Sequence, residues 1–160
     1  KIFFLYVHHL SFAVYLRLSI FRLRLSMKMI ACQNFEKRRL PKRTVLSGDF
    51  AGVKAGLLLY IGTPQIVAKY ISDIPAGETA TIEKLRNQLA RSNKCDAMCP
   101  VSTAIFLRIA AEFAIEEMNN GKSAQEVIPF WRVMTSKDKI ARKLPIDPEW
   151  IDHQRRLEAL

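Results

Sequence analysis

Polar and apolar positions fall into distinct regimes along the chain. Residues 2–16 hold no Lys, Arg, Asp or Glu, and residues 19–29 then alternate. In that second stretch Ile20, Leu23, Leu25, Met27 and Met29 are separated by polar or basic partners, apart from the Ile20-Phe21 step. Alternation of this kind predicts a strand with one wet face. From Thr63 onward the spacing turns helical. Thr63 as N-cap with Pro64 at the first helical position starts one helix, whose buried face is Ile66, Val67, Tyr70, Ile71 and Ile74. Pro75-Ala76-Gly77 stops it. Thr81 caps a second helix with Glu83 in its first turn and Ile82, Leu85 and Leu89 inside, which leaves Lys84, Arg86 and Arg91 outside.

A third helix opens at Pro100, is capped near Ser102 and runs to about Asn119, where Asn120-Gly121 supplies a left-handed C-cap. Its polar residues Arg108, Glu112, Glu116 and Asn119 form one narrow stripe, so this is expected to be the most buried helix. Ser123 to Glu126 has the spacing of a capping box. Asp147-Pro148 starts a last helix that should bury Trp150, Ile151 and Leu157. Upstream, residues 47–62 carry Gly48, Gly52, Gly56 and Gly62 around the apolar run 57–61, which reads as loop, short strand, loop. No Gly-Lys-Ser or Gly-Lys-Thr follows, so these glycines are not a phosphate-cradling motif.

Composition changes this picture mainly through charge. Residues 1–45 hold ten Lys or Arg and one acid, Glu36, whereas the remaining fifteen basic residues face fourteen acids. Residues 1–45 therefore carry +9 and the rest +1, which together make the net +10. A nearly neutral domain binds DNA weakly unless its charges are clustered. Cys32, Cys95 and Cys99 make an odd count, which gives no disulfide framework. Cys95 and Cys99 lack two further ligands at a sensible spacing, so no metal and no cofactor are expected.

At 160 residues the chain has room for one domain with a real core. Residues 1–30 are read as an N-terminal extension, with targeting, anchor and non-native origins all open. Their apolar run of fifteen residues is short of the roughly twenty needed to cross a bilayer, so membrane contact is disfavoured but open. Richness in Arg and Ser keeps organelle targeting open, with the cytoplasm, or a nucleoid if bacterial, as the expected location. The chain begins at Lys1, and Met27 and Met29 stand where a start would fit. Residues 31–46 are read as a basic linker, or as an arm that tracks a phosphate backbone, and residues 47–160 as the domain.

Residues 128–134 read Ile-Pro-Phe-Trp-Arg-Val-Met. Pro129 lacks an amide hydrogen and fixes its own φ, which predicts an extended segment with Phe130 and Trp131 on opposite faces. On residue types alone this is a buried strand with Arg132 reaching to solvent. Pro129-x-x-Arg132-Val133 is similar to a Pro-Cys-His-Arg-Val motif, and Ile74-Pro75-Ala76-Gly77-Glu78-Thr79 to an Ile-Pro-x-Gly-Glu-Thr motif. Thr63-Pro64-Gln65 stands in the place of Thr-x-Phe-Gln. Over residues 63–157 the chain thus resembles the methylated-DNA-protein-cysteine methyltransferases, also called alkylguanine-DNA alkyltransferases.

That resemblance implies a mainly α, winged helix-turn-helix-like domain with a short strand or wing. Its third helix would enter the minor groove, and an arginine would hold open the gap left by a flipped base. Phe130 replaces the alkyl-accepting cysteine and Trp131 its histidine. A phenyl ring has no lone pair to accept an alkyl group, and an indole nitrogen is only a donor, so methyl transfer there is excluded and no enzyme is expected. Thr81-Ile82 stands for a Ser-Tyr pair, Ser102 and Thr103 stand where the arginine finger begins, and residues 140–148 replace the lid. The best-fitting subgroup is the alkyltransferase-like proteins, which bind alkylated DNA without repairing it and hand the lesion to other repair machinery.

The expectation is a monomeric, non-enzymatic protein that binds duplex DNA, with alkylated duplex and DNA-repair proteins as partners. Thr81, Lys84, Arg86, Ser102, Thr103, Arg108 and Arg132 would contact DNA. Pro129, Phe130 and Trp131 would form a base pocket, and Lys137, Lys139, Arg142 and Lys143 a wing on the backbone. The competing reading is a protein-interaction or small-ligand module that kept the fold and lost DNA, for which Glu112, Glu116 and Glu117 speak.

Overall fold

The computed structural model describes residues 31–160, so the strand, anchor and start readings for residues 1–30 lie outside the described residues. The described part is about half helical, with a small three-stranded sheet, and is mainly α. Residues 31–36 are helical (α1) and lead into β1 (Lys42–Val45). β1 pairs antiparallel with β2 (Leu58–Ile61), placing Lys42 opposite Ile61 and Val45 opposite Leu58. β3 (Ala97–Met98) adds on the far side of β2 in parallel, with Tyr60 opposite Met98. The sheet order is β1-β2-β3.

The segment expected to be a linker is therefore part of the body. It supplies an edge strand and a helical turn whose Phe35 ring stacks on Phe113, centroids 4.3 Å apart. Its basic and polar composition hid this, because a short edge strand exposed along its whole length needs no apolar alternation.

Helix α2 (Pro64–Ser72) and helix α3 (Ile82–Ser92) start where their caps predict. The hydroxyl of Thr63 accepts from the Ile66 amide and that of Thr81 from the Lys84 amide. α2 buries Val67 and Ile71 completely, and α3 buries Leu85. Helix α4 (Pro100–Asn119) is the spine of the core. Leu107, Ala110, Ala111 and Ala114 are fully buried, the alanines have no long side chain to hold neighbours off, and α2 packs against this helix. α4 begins at Cys99 without a side-chain cap, which corrects the assignment of Ser102; Ser102 lies inside the first turn and donates its hydroxyl back to the Cys99 carbonyl. Its other end is as expected: Gly121 takes φ +102°, and the amides of Gly121 and Lys122 bond back to Met118 and Glu117.

After α4 the chain forms three short 3-10 turns, at Ala124–Glu126, Phe130–Arg132 and Ala141–Lys143, before helix α5 (Pro148–Glu158). The Ser123 to Glu126 capping box is formed, with the Glu126 carboxylate accepting from the Ser123 amide and hydroxyl. No strand lies between α4 and α5, so neither the Phe-Trp strand nor a strand-built wing is present there. The Arg132 amide bonds to the Pro129 carbonyl and the Val133 amide to Phe130, closing a turn in place of an extended run. In α5, Ile151 is fully buried and Trp150 half-buried, whereas Leu157, expected inside, is 50% exposed.

Candidate nucleic-acid interface

The turn at Phe130–Arg132 puts both rings on the inside. Phe130 is 0% and Trp131 2% exposed, and both meet Trp150 of α5. The three rings form one block: Phe130 to Trp131 at 5.4 Å edge-on, Phe130 to Trp150 at 6.0 Å stacked, Trp131 to Trp150 at 5.6 Å edge-on. Such offset and edge-to-face contacts are the favoured geometries for aromatic pairs. The base pocket assigned to Pro129, Phe130 and Trp131 is corrected accordingly, since both rings are sealed in the core against Trp150.

Arg132 is also held inward. Its Nε and Nη2 donate to the two carboxylate oxygens of Glu158 at 2.8 and 2.7 Å, and Nη1 donates to the Ile74 carbonyl. The Ala80 amide closes the ring by bonding to the Arg132 carbonyl at 2.8 Å. Bidentate arginine-carboxylate pairing is among the stronger polar contacts, so Arg132 is a latch whose guanidinium is engaged within the fold. Hydrogen bonds from Arg132 hold the Glu158 carboxyl below its ordinary value against the opposing effect of burial. The Trp131 indole N–H faces the same carboxylate outside hydrogen-bond geometry and is otherwise buried without a partner. Gly77, at φ +80°, lies under the end of α5, where an added Cβ would stand 3.0 Å from the Glu158 carbonyl. Two of the three stretches that carry the resemblance, 74–79 and 129–133, thus meet around this latch.

The other expected contacts divide. Thr103 is fully buried and donates to the Cys99 carbonyl at 2.7 Å, so it cannot reach a phosphate. Thr81 is exposed, although its hydroxyl oxygen already caps α3. Lys84 is exposed, while Arg86 is half-buried with its Nε unpartnered. Arg108 Nε lies 3.4 Å from Glu112 Oε1, an ion pair without hydrogen-bond geometry. Burial pushes the Glu112 carboxyl up, and Arg108 pulls it back. On the same side of α4, Val101 and Ile105 are 46% and 47% exposed. The proposed wing residues Lys137, Lys139, Arg142 and Lys143 are exposed on the turns before α5.

A groove of about 490 Å³ runs between the end of α2, the 75–80 loop and α3. Lys84 and Arg91 line it together with Asp73 and Glu78, and the Tyr70 hydroxyl donates to Gln88 across it. Neither Phe130 nor Trp131 reaches it. Among the described residues no group of three or more His, Cys, Asp or Glu side chains could hold a metal ion, and Cys95 and Cys99 are buried free thiols. No described helix is long and apolar enough to cross a membrane.

Residue spacing missed three participants. Trp150 and Glu158 complete the aromatic block and the latch from a helix that spacing could place but not orient. Arg39, assigned to a linker, lies 5.8 Å over the Phe106 ring of α4. No family model, curated protein or solved structure matches this chain.

Proposed function

We propose that the chain is a non-enzymatic duplex-DNA-binding protein of the alkyltransferase-like kind, in which α3, the connection at residues 93–99 that includes β3, and α4 act as the helix-turn-helix of a winged-helix module. One observation carries this reading. α4 contributes more buried side chains than any other described helix, yet its first two turns leave Val101 and Ile105 nearly half exposed. Apolar side chains standing out from a core helix favour an outside surface, and a groove of duplex DNA accepts a helix presented in this way. Lys84 and Arg91, exposed on α3, add sequence-independent attraction to phosphates. Phe130 and Trp131 offer no nucleophile or base, so binding without alkyl transfer is the consistent outcome.

Reading of a lesion by these rings would require Trp150 to leave Phe130 and Trp131, so we place duplex binding ahead of preference for alkylated guanine. A fluorescence anisotropy titration with plain and alkylated duplexes over a range of salt tests both. Salt-dependent binding that Ile105→Glu weakens at least about tenfold is expected, because a carboxylate would face the phosphates. Equal binding by Ile105→Glu, with the fold intact by circular dichroism, would remove the proposal. The second reading, a protein-interaction module, is favoured by the half-buried acidic stripe Glu112, Glu116 and Glu117 on α4. Absence of duplex binding at low salt together with one stoichiometric protein partner would select it.

A further inference from the structure

Five basic side chains fall within seven residues: Lys37, Arg38, Arg39, Lys42 and Arg43, interrupted by Leu40 and Pro41. None of the five takes part in an ion pair among the described residues. Residues 1–30 contain no Asp or Glu that would add one. A run of like charges is ordinarily a solvated tail. This one is fastened before, within and after.

Before it, the Cys32 amide donates to the Glu116 carboxylate at 3.1 Å and Phe35 stacks on Phe113. The Gln65 side chain of α2 also donates to the Phe35 carbonyl. Within it, Arg39 lies over Phe106, with one guanidinium nitrogen buried and unpartnered. After it, β1 pairs with β2. Cys32, Phe35 and Arg39 meet Glu116, Phe113 and Phe106 in that order. The strap therefore runs antiparallel to α4, toward the half that carries Val101 and Ile105. Lys37, Arg38, Lys42 and Arg43 remain exposed.

We propose that residues 37–43 form a fixed basic ridge beside the first half of α4, and that the ridge takes the phosphate backbone of duplex DNA. The choice of duplex rests on the reading of α4 given above. The ridge adds a contact surface which that reading does not contain. Its linear arrangement favours a linear polyanion over a single phosphate group: seven residues span at most roughly 25 Å, a length over which one DNA strand presents about seven phosphates. Like charges brought together without ion pairing repel one another, and a polyanion laid along them removes that repulsion. Fastening also lowers the ordering cost that a free tail would meet on binding.

The test is the salt dependence of duplex affinity, measured with the full chain between roughly 50 and 200 mM salt. Replacing the four exposed cations together (Lys37→Gln, Arg38→Gln, Lys42→Gln and Arg43→Gln) should lower the slope of log affinity against log salt by about 3.6. The pair Lys37→Gln and Arg38→Gln, which lies outside β1 and leaves its pairing intact, should lower it by about 1.8. Binding that persists with an unchanged slope in both variants overturns the ridge and leaves the α4 reading standing. Absence of any salt-dependent duplex binding by the unaltered chain overturns both. Binding to phosphatidylserine vesicles but not to duplex would reassign the ridge to a membrane surface and likewise overturn the proposal.

Discussion

The block around Arg132 and the ridge at residues 37–43 are opposite in how they use their polar groups. Around Arg132 the guanidinium is matched by Glu158 and the Ile74 carbonyl, and three aromatic rings fill the neighbouring volume. Along the ridge five cations have no ion-pair partner among the described residues. The first region holds the molecule together, and the second is left facing outward. Similarity of motif pointed to the first as the working site, whereas composition left the second as a linker or a phosphate-tracking arm. A group satisfied within its own fold has little left to offer a partner, so unsatisfied groups are the better guide to a contact surface.

The comparison fails if the first region proves to be a reader of bases. Trp131→Ala should destabilise the protein by about 3 to 5 kcal/mol, the range for emptying a large buried aromatic site. The urea midpoint should fall without a change in slope, and the duplex affinity of the folded fraction should stay as it was. Normal stability with lost affinity for alkylated duplex would restore the base pocket. Arg132→Ala should cost about 3 kcal/mol, because Glu158 would be left half-buried and unpaired. Arg132→Lys should recover only part, since one ammonium cannot serve two carboxylate oxygens and a carbonyl in a fixed plane.

Acid sharpens the same contrast. The Glu158 carboxyl is held below its ordinary value of 4.5, first by its bonds to Arg132. Its stabilising effect is thus fully present above that value and is lost as pH falls through the lowered one. A denaturation series from neutral pH into acid should show this loss, and Glu158→Gln should flatten that part of the profile. An unaltered profile in Glu158→Gln would mean that the latch does not contribute. The smallest effect is expected on the other side. Phe35→Ala should cost about 1 to 2 kcal/mol, since the lost ring is half-buried and stacked on one partner. Trypsin should then cut faster within residues 37–43, and unchanged cutting would show that the strap is not what fastens the ridge.

Local chemistry made much of the fold legible. Thr63, Thr81 and Asp147 cap helices where their residue types predict, and the glycine after Asn120 ends α4 in the left-handed conformation. What residue spacing did not show are contacts between distant segments. Pro129 suggested an extended run, yet the pull of Trp150 across from α5 favours a turn that puts both rings inside. Thr103 looked like a phosphate contact because its hydroxyl begins a helix, but helical periodicity turns it to the core beneath Cys99. Phe35 and Arg39 lie among basic residues with no periodicity, so nothing nearby in the chain announces Phe113 and Phe106 as their partners.

The latch also bears on time. Arg132 joins positions separated by 58 and 26 residues, so long loops must close before it returns any stability. Contacts of that span tend to be made late in folding, after local helices have packed. Weakening the latch should therefore shorten the life of the native state while leaving its rate of formation nearly unchanged, so that Arg132 acts as a brake on opening.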